Sequence, residues 1–152
     1  MSTLGSCFGD LRAAVFRHHA EIRARLRGLD AFTSPASPPL AAAQLRVAVL
    51  RLAVLVESHL SFEEHELAPC IRELDAWGKE REAALLAEHV EQRARLQYIC
   101  LMAESEQTSD RELACEVSWL VVSLLDDMSR EEAELMELER LSTDGPLEQM
   151  TG

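Results

Sequence analysis

The stretch His59-Leu60-Ser61-Phe62-Glu63-Glu64-His65-Glu66-Leu67-Ala68-Pro69 decides how the rest of this chain is read. It follows a largely apolar run, Leu45 to Val56, that has no internal glycine or proline. Residues four apart on a helix are neighbours on one face. A helix here therefore aims the imidazole of His59 and the carboxylate of Glu63 at the same place. One such pair is ordinarily a polar contact at the edge of a core. Three other helical stretches change that reading, because each carries a polar residue in the middle of an apolar stripe.

Upstream, a first helix is expected from Gly9-Asp10 to Gly28. Leu11, Val15, Ile22 and Leu26 recur with the period of an amphipathic helix, and His19 lies inside that stripe. His18 points about 100° away and should be more exposed. Asp30 to Pro39 reads as a linker of turn formers, with Ser37 as N-cap and Pro38 in the first helical turn. The second helix runs from Leu40 to Leu67, with Leu45, Ala48, Leu52, Leu55, His59 and Glu63 inward, until Pro69 ends or kinks it. Downstream, Lys79 to Glu104 forms a third helix whose stripe is Leu85, Leu86, His89, Arg93, Leu96 and Cys100. Ser105 to Ser109 is a polar turn, and Ser109-x-x-Glu112 is a capping box for the next helix. That fourth helix, Asp110 to Glu139, aligns Leu113, Val117, Leu120, Leu124, Asp127 and Glu131.

Four long helices with short connections predict an all-α, antiparallel up-down-up-down four-helix bundle. The bundle is expected over residues 9–140, with a flexible N-terminus at 1–8 and a disordered tail at 141–152. His59-x-x-x-Glu63-Glu64-x-x-Leu67 is echoed by Asp127-x-x-x-Glu131-Glu132-x-x-Leu135, as in a roughly two-fold bundle with a central site.

Composition narrows the classes. The 152 residues suit one domain, and 47% hydrophobic content with only 5% aromatics favours helix over sheet. A net charge of −12, from 27 acidic and 15 basic residues, repels phosphate backbones and anionic lipid, which argues against nucleic-acid and membrane partners. No apolar run is long enough to span a bilayer, and the first residues lack a signal-peptide pattern. A cytoplasmic location follows as the expectation. Cys7, Cys70, Cys100 and Cys115 show no close spacing and read as free thiols.

The polar residues on the four stripes are His19, His59 with Glu63, His89 with Arg93, and Asp127 with Glu131. Burying each without a partner costs a few kcal/mol, and a shared metal ion is an economical partner for all of them. Imidazole with carboxylate suits iron or manganese, with zinc as an alternative. In this ordered set the chain resembles the hemerythrin-like, or HHE cation-binding, family. That resemblance implies a four-helix bundle with a non-haem di-iron centre. It assigns His19 as the first-helix ligand, His59-x-x-x-Glu63 as the second-helix pair and His89 as the third-helix ligand. Asp127 stands where the family has a fourth-helix histidine, and Arg93 where hemerythrins proper have a second histidine on the third helix. Both departures fall on one iron of the pair; the other half, His19, His59, Glu63 and Glu131, is complete. The family's spacing would choose Glu132 as the fourth-helix carboxylate, whereas an i+4 step from Asp127 chooses Glu131.

Three readings of the site follow. One metal binds His19, His59, Glu63 and Glu131 while Arg93 turns inward onto Asp127 or Glu131 in place of the second cation. Alternatively, Asp127 and His89 hold a second metal and Arg93 swings outward. In the third, no metal binds, and an Arg93–carboxylate network makes the bundle a regulatory or protein-interaction module. The resemblance implies iron, one or two per chain, and a role in sensing or handling iron, dioxygen, nitric oxide or peroxide rather than an enzyme activity. A protein partner or a homodimer is compatible with every version. His65 should be solvated; Glu64, Glu66 and Glu132 read as surface charge, and Trp77 and Trp119 as packing anchors.

Overall fold

In a computed structural model, described for residues 3–33 and 41–143, the chain is entirely helical, with no strand among the described residues. The elements are α1 (Thr3–Thr33), α2 (Ala41–Phe62), a π-helical turn (Glu63–Leu67), α3 (Ala68–Arg72), α4 (Gly78–Glu104) and α5 (Asp110–Thr143). The first helix begins earlier and the last ends later than the sequence predicts: Thr3 rather than Gly9, and Thr143 rather than Glu139. The linker readings at Ser37 and Pro38, and the tail from residue 144 onward, lie outside the described residues.

Pro69 does not end the second helix; the chain continues helically to Arg72. A proline removes one backbone donor and crowds the carbonyl four residues back. The helix accommodates this by widening into the π turn just before it, where the Ala68 N–H donates to the Glu63 carbonyl five residues back. Such bulges are frequent at functional sites, and this one begins at Glu63. The chain then turns into α4 at Gly78, where a Cβ would collide with the carbonyl oxygens of Ile71 and Arg72. Only glycine fits that approach.

The expected capping box forms: Ser109 N–H donates to Glu112 Oε2 at 2.9 Å and Glu112 N–H to Ser109 Oγ at 3.2 Å. Arg46 of α2 adds a tie invisible in the sequence. Its guanidinium donates to the carbonyls of Met102 and Ala103 at the end of α4 and of Ser105 and Thr108 in the turn that follows.

The interior divides into two apolar clusters. One gathers Ile22, Leu26, Leu52, Val56, Leu60, Leu96, Val117, Leu124 and Met128; the other gathers Phe8, Val15, Leu67, Ile71, Leu135 and Leu138. On each long helix a polar residue stands where the chain passes between them. His19 falls between Val15 and Ile22, Glu63 between Leu60 and Leu67, His89 between Leu85 and Leu96, and Glu131 between Met128 and Leu135. No described helix is long and apolar enough to cross a membrane. Two side chains differ from expectation: Trp77 and Trp119 are 66% and 70% exposed, so neither anchors the core.

Candidate metal centre

His19, His59, Glu63 and His89 are all buried, at 0 to 5% exposure. From α1, His19 presents Nε2 to Nε2 of His59 at 3.1 Å and to Glu131 Oε2 at 3.2 Å. His59 Nε2 lies 3.2 Å from Glu63 Oε1, the i+4 partner expected. One donor atom from each of His19, His59, Glu63 and Glu131 lies within 4.8 Å of every other, a cluster that could hold a metal ion. The neighbouring separations match adjacent donors around one ion with bonds near 2.1 Å, which stand about 3.0–3.4 Å apart.

The histidines are held from behind. His19 Nδ1 donates to Glu132 Oε1 at 2.8 Å, and Arg23 Nη1 donates to the same oxygen at 2.6 Å. This fixes the ring with Nε2 turned inward, the orientation typical of a metal-bound imidazole. Behind His59 stands His18, with Nδ1 atoms 3.3 Å apart. Burial, then the neighbouring His19, pushes His59 down to about 3, so its ring carries no charge at neutral pH.

The carboxylates are less well served. Glu63 Oε1 and Glu131 Oε1 are buried without a hydrogen-bond partner. An unsatisfied buried acceptor costs about 1–3 kcal/mol, and here two of them face one cluster. Burial, then the charge of Glu131, raises the Glu63 carboxyl far above the usual range. Burial also pushes Glu131 upward, but hydrogen bonding from His19 and from Glu63 outweighs it and holds that carboxyl low. The pair thus keeps a proton that a cation would displace. The orphaned oxygens, the inward-facing ring nitrogens and the mixed nitrogen–oxygen donor set all fit a divalent metal.

The other half of the polar layer is organised differently. His89 Nε2 is 2.9 Å from Glu63 Oε2, and its Nδ1 is 3.0 Å from Glu64 Oε1. His89 meets the cluster through Glu63, not as a member of it. Arg93 does not turn onto Asp127 or Glu131. It pairs with Glu64 and with Glu57, the latter at 3.0 Å, toward the surface. The reason is reach: two carboxylates on the second helix lie beside it and hold its guanidinium as a fork. Asp127 stays out of the cluster as well. Gln92, Arg95 and Arg130 donate to its oxygens at 3.3, 3.1 and 2.9 Å.

Sequence reasoning missed Glu64, Arg23 and His18 as parts of this layer, and offered Glu132 only as the alternative fourth-helix carboxylate. Arg23 was accessible in principle, being four residues beyond His19. Glu64 was not, because its aim depends on the widened turn before Pro69. A small cavity of about 20 Å³ lies against His59 and Glu131, walled by Ile22, Val56, Leu60, Leu124 and Met128 and bordered by Gln92 and Asp127. It has room for roughly one water-sized molecule. A second cavity, about 610 Å³ between α4 and α5, includes Glu131 in its wall. Comparison of the chain with protein-family models, with curated proteins and with solved structures finds no match.

Proposed function

We propose that His19, His59, Glu63 and Glu131 bind a single metal ion, iron, in a hemerythrin-like antiparallel up-down-up-down bundle, and that the centre senses or handles a small ligand such as dioxygen, nitric oxide or peroxide. The observation that carries this reading is the pair of buried, unpartnered carboxylate oxygens facing two inward imidazole nitrogens. Without a metal, the two carboxyls have only a shared proton in its place. One metal, not two, follows from the other half of the layer, where Asp127 is engaged by two arginines and His89 is bonded directly to Glu63. Manganese and zinc suit the same donors; iron is the choice that the hemerythrin-like resemblance implies.

When bound, iron would supply open coordination positions and one-electron chemistry. The chain's own residues do the rest. Glu132 fixes the ring of His19, His18 backs His59, and Glu63 gives up its proton as the cation enters. The one-water cavity beside His59 and Glu131 keeps space for a diatomic ligand within an apolar wall, and the larger cavity brings open space to Glu131. Reversible two-electron dioxygen carriage needs an iron pair, so a one-iron site serves sensing or handling instead.

The test is anaerobic loading with ferrous iron followed by nitric oxide. An iron–nitrosyl absorption and paramagnetic signal is expected. Iron uptake without nitric oxide binding would reject the small-ligand role and keep the metal centre. No iron uptake by the folded protein would reject both.

A further inference from the structure

Two cysteines that are distant in sequence meet at one end of the bundle. Cys7 lies in the first turns of α1, and Cys70 lies on α3, directly after Pro69. Their neighbours bring them together. Phe8 is fully buried in the apolar cluster that also holds Leu67, Cys70 and Ile71, and α1 packs directly on α3. The exposed thiol of Cys7 thereby lies within hydrogen-bonding reach of the buried thiol of Cys70. Burial, then the Cys7 thiol, pushes the Cys70 thiol up, so it stays protonated at neutral pH. Cys100 and Cys115 are elsewhere, beside Ile99, Leu113 and Val117 of the other apolar cluster, across the polar layer. The metal centre uses none of these sulfurs. An accessible cysteine poised next to a second, resolving cysteine is the arrangement by which proteins record oxidation reversibly.

We propose that Cys7 and Cys70 are a peroxide-oxidisable pair that closes to a disulfide and fastens the start of α1 to α3. The exposed Cys7, as thiolate, attacks one oxygen of hydrogen peroxide. An S–O bond forms, the O–O bond breaks, and hydroxide leaves to take up the proton that Cys7 gave to solvent. The sulfur of Cys70 then attacks the sulfur of the resulting sulfenic acid. The S–S bond forms as the S–O bond breaks, and the Cys70 proton leaves with the hydroxyl as water. Two thiols and one peroxide thus give a disulfide and two waters, with both electrons passing from sulfur to peroxide. Cys70 serves as the resolving thiol because burial shields it from direct attack while Cys7 stands beside it. The bond closes the chain between residues 7 and 70 into a loop, which restricts the unfolded state and stabilises the folded one.

The test treats the full chain, held in chelator, with equimolar hydrogen peroxide and digests it without reduction. Peptide mass mapping should recover Cys7 linked to Cys70, about tenfold or more over any link to Cys100 or Cys115. A dithiol reductant should restore both thiols. Cys70→Ser should stop Cys7 at the sulfenic acid, which a cyclic dione traps. The linked protein should unfold at a higher urea concentration than the reduced protein, a shift absent from Cys70→Ser. Links scattered among all the cysteines would overturn the inference, as would a Cys7 in the unmodified chain that stops at sulfenic or sulfinic acid. A linked protein whose urea midpoint does not rise would overturn the fastening of α1 to α3. Because the chelated protein carries no iron, these outcomes are independent of the metal centre.

Discussion

Two sides of one polar layer receive the same residue types and use them in opposite ways. On the side of α1 and α2, His19 and His59 turn ring nitrogens toward Glu63 and Glu131, and the nearest arginine, Arg23, stays behind Glu132. On the side of α4, every candidate ligand already has a partner. Glu63 and Glu64 take His89, Arg95 and Arg130 take Asp127, and Glu57 and Glu64 take Arg93. A buried carboxylate with an arginine is complete, whereas a buried carboxylate with an orphaned oxygen awaits a cation. The difference separates a binding site from an ion-pair network more sharply than residue type does.

The largest test of that contrast removes a ligand from each side. His59→Ala should abolish metal binding, and Asp127→Ala should leave bound metal per chain within about twofold of the unmodified protein, both read by elemental analysis. Equal losses would erase the distinction between the two sides. A gain-of-site experiment sharpens it: Arg93→His with Asp127→His frees Glu64 and offers two imidazoles beside His89. Bound iron should rise from one toward two per chain. No increase would count against the alignment of these positions with the hemerythrin-like pattern.

Next in size, Glu132→Gln should lower metal affinity about 10–100-fold by loosening His19, as competition with a chelator would show. Glu66→Gln, an exposed neighbour of the π turn, should leave it unchanged.

The pH dependence of the metal-free protein provides a fourth test, with a definite sign. His59 is lowered from 6.5 to about 3 by burial and His19. The unfolded chain therefore takes up a proton below pH 6.5 that the folded chain refuses, and this part of stability is lost as pH falls. Glu63 is raised above 4.5 by burial and Glu131. Here the folded chain retains a proton above pH 4.5 that the unfolded chain releases, so stability is lost as pH rises. Each slope is at most about 1.4 kcal/mol per pH unit. Between pH 4.5 and 6.5 the two cancel, which predicts a plateau there and a decline above 6.5 in denaturant titrations. Metal removes the proton from Glu63, so loaded protein should lose the alkaline decline. A decline of the same slope with metal bound would place the ion elsewhere.

A further test lies far from the layer. Arg46→Ala removes four carbonyl ties at the α4–α5 turn and should cost about 2–4 kcal/mol in urea unfolding, with metal stoichiometry unchanged.

Much of this was legible in the sequence because it depends on helical period. The helices, the capping box at Ser109, the His59–Glu63 pair and the choice of Glu131 for the cluster all follow from i, i+3 and i+4 spacing. What was not legible depends on long side chains choosing among partners. Arg93 could reach several carboxylates, and the choice of Glu57 and Glu64 rests on the distance between helices, which no spacing reports. The π turn before Pro69 was hidden for a related reason. A π turn costs one residue of register and leaves no compositional mark. Trp77 and Trp119 misled because aromatic residues are usually core, and here both lie outside it.

The most direct measurement is iron per chain by elemental analysis, on untagged protein purified from iron-supplemented cells. The account predicts one iron per chain, falling to none in Glu63→Ala protein that keeps its helicity. Two irons would contradict the single-ion site. A folded protein without metal would contradict the claim that the orphaned oxygens of Glu63 and Glu131 await a cation.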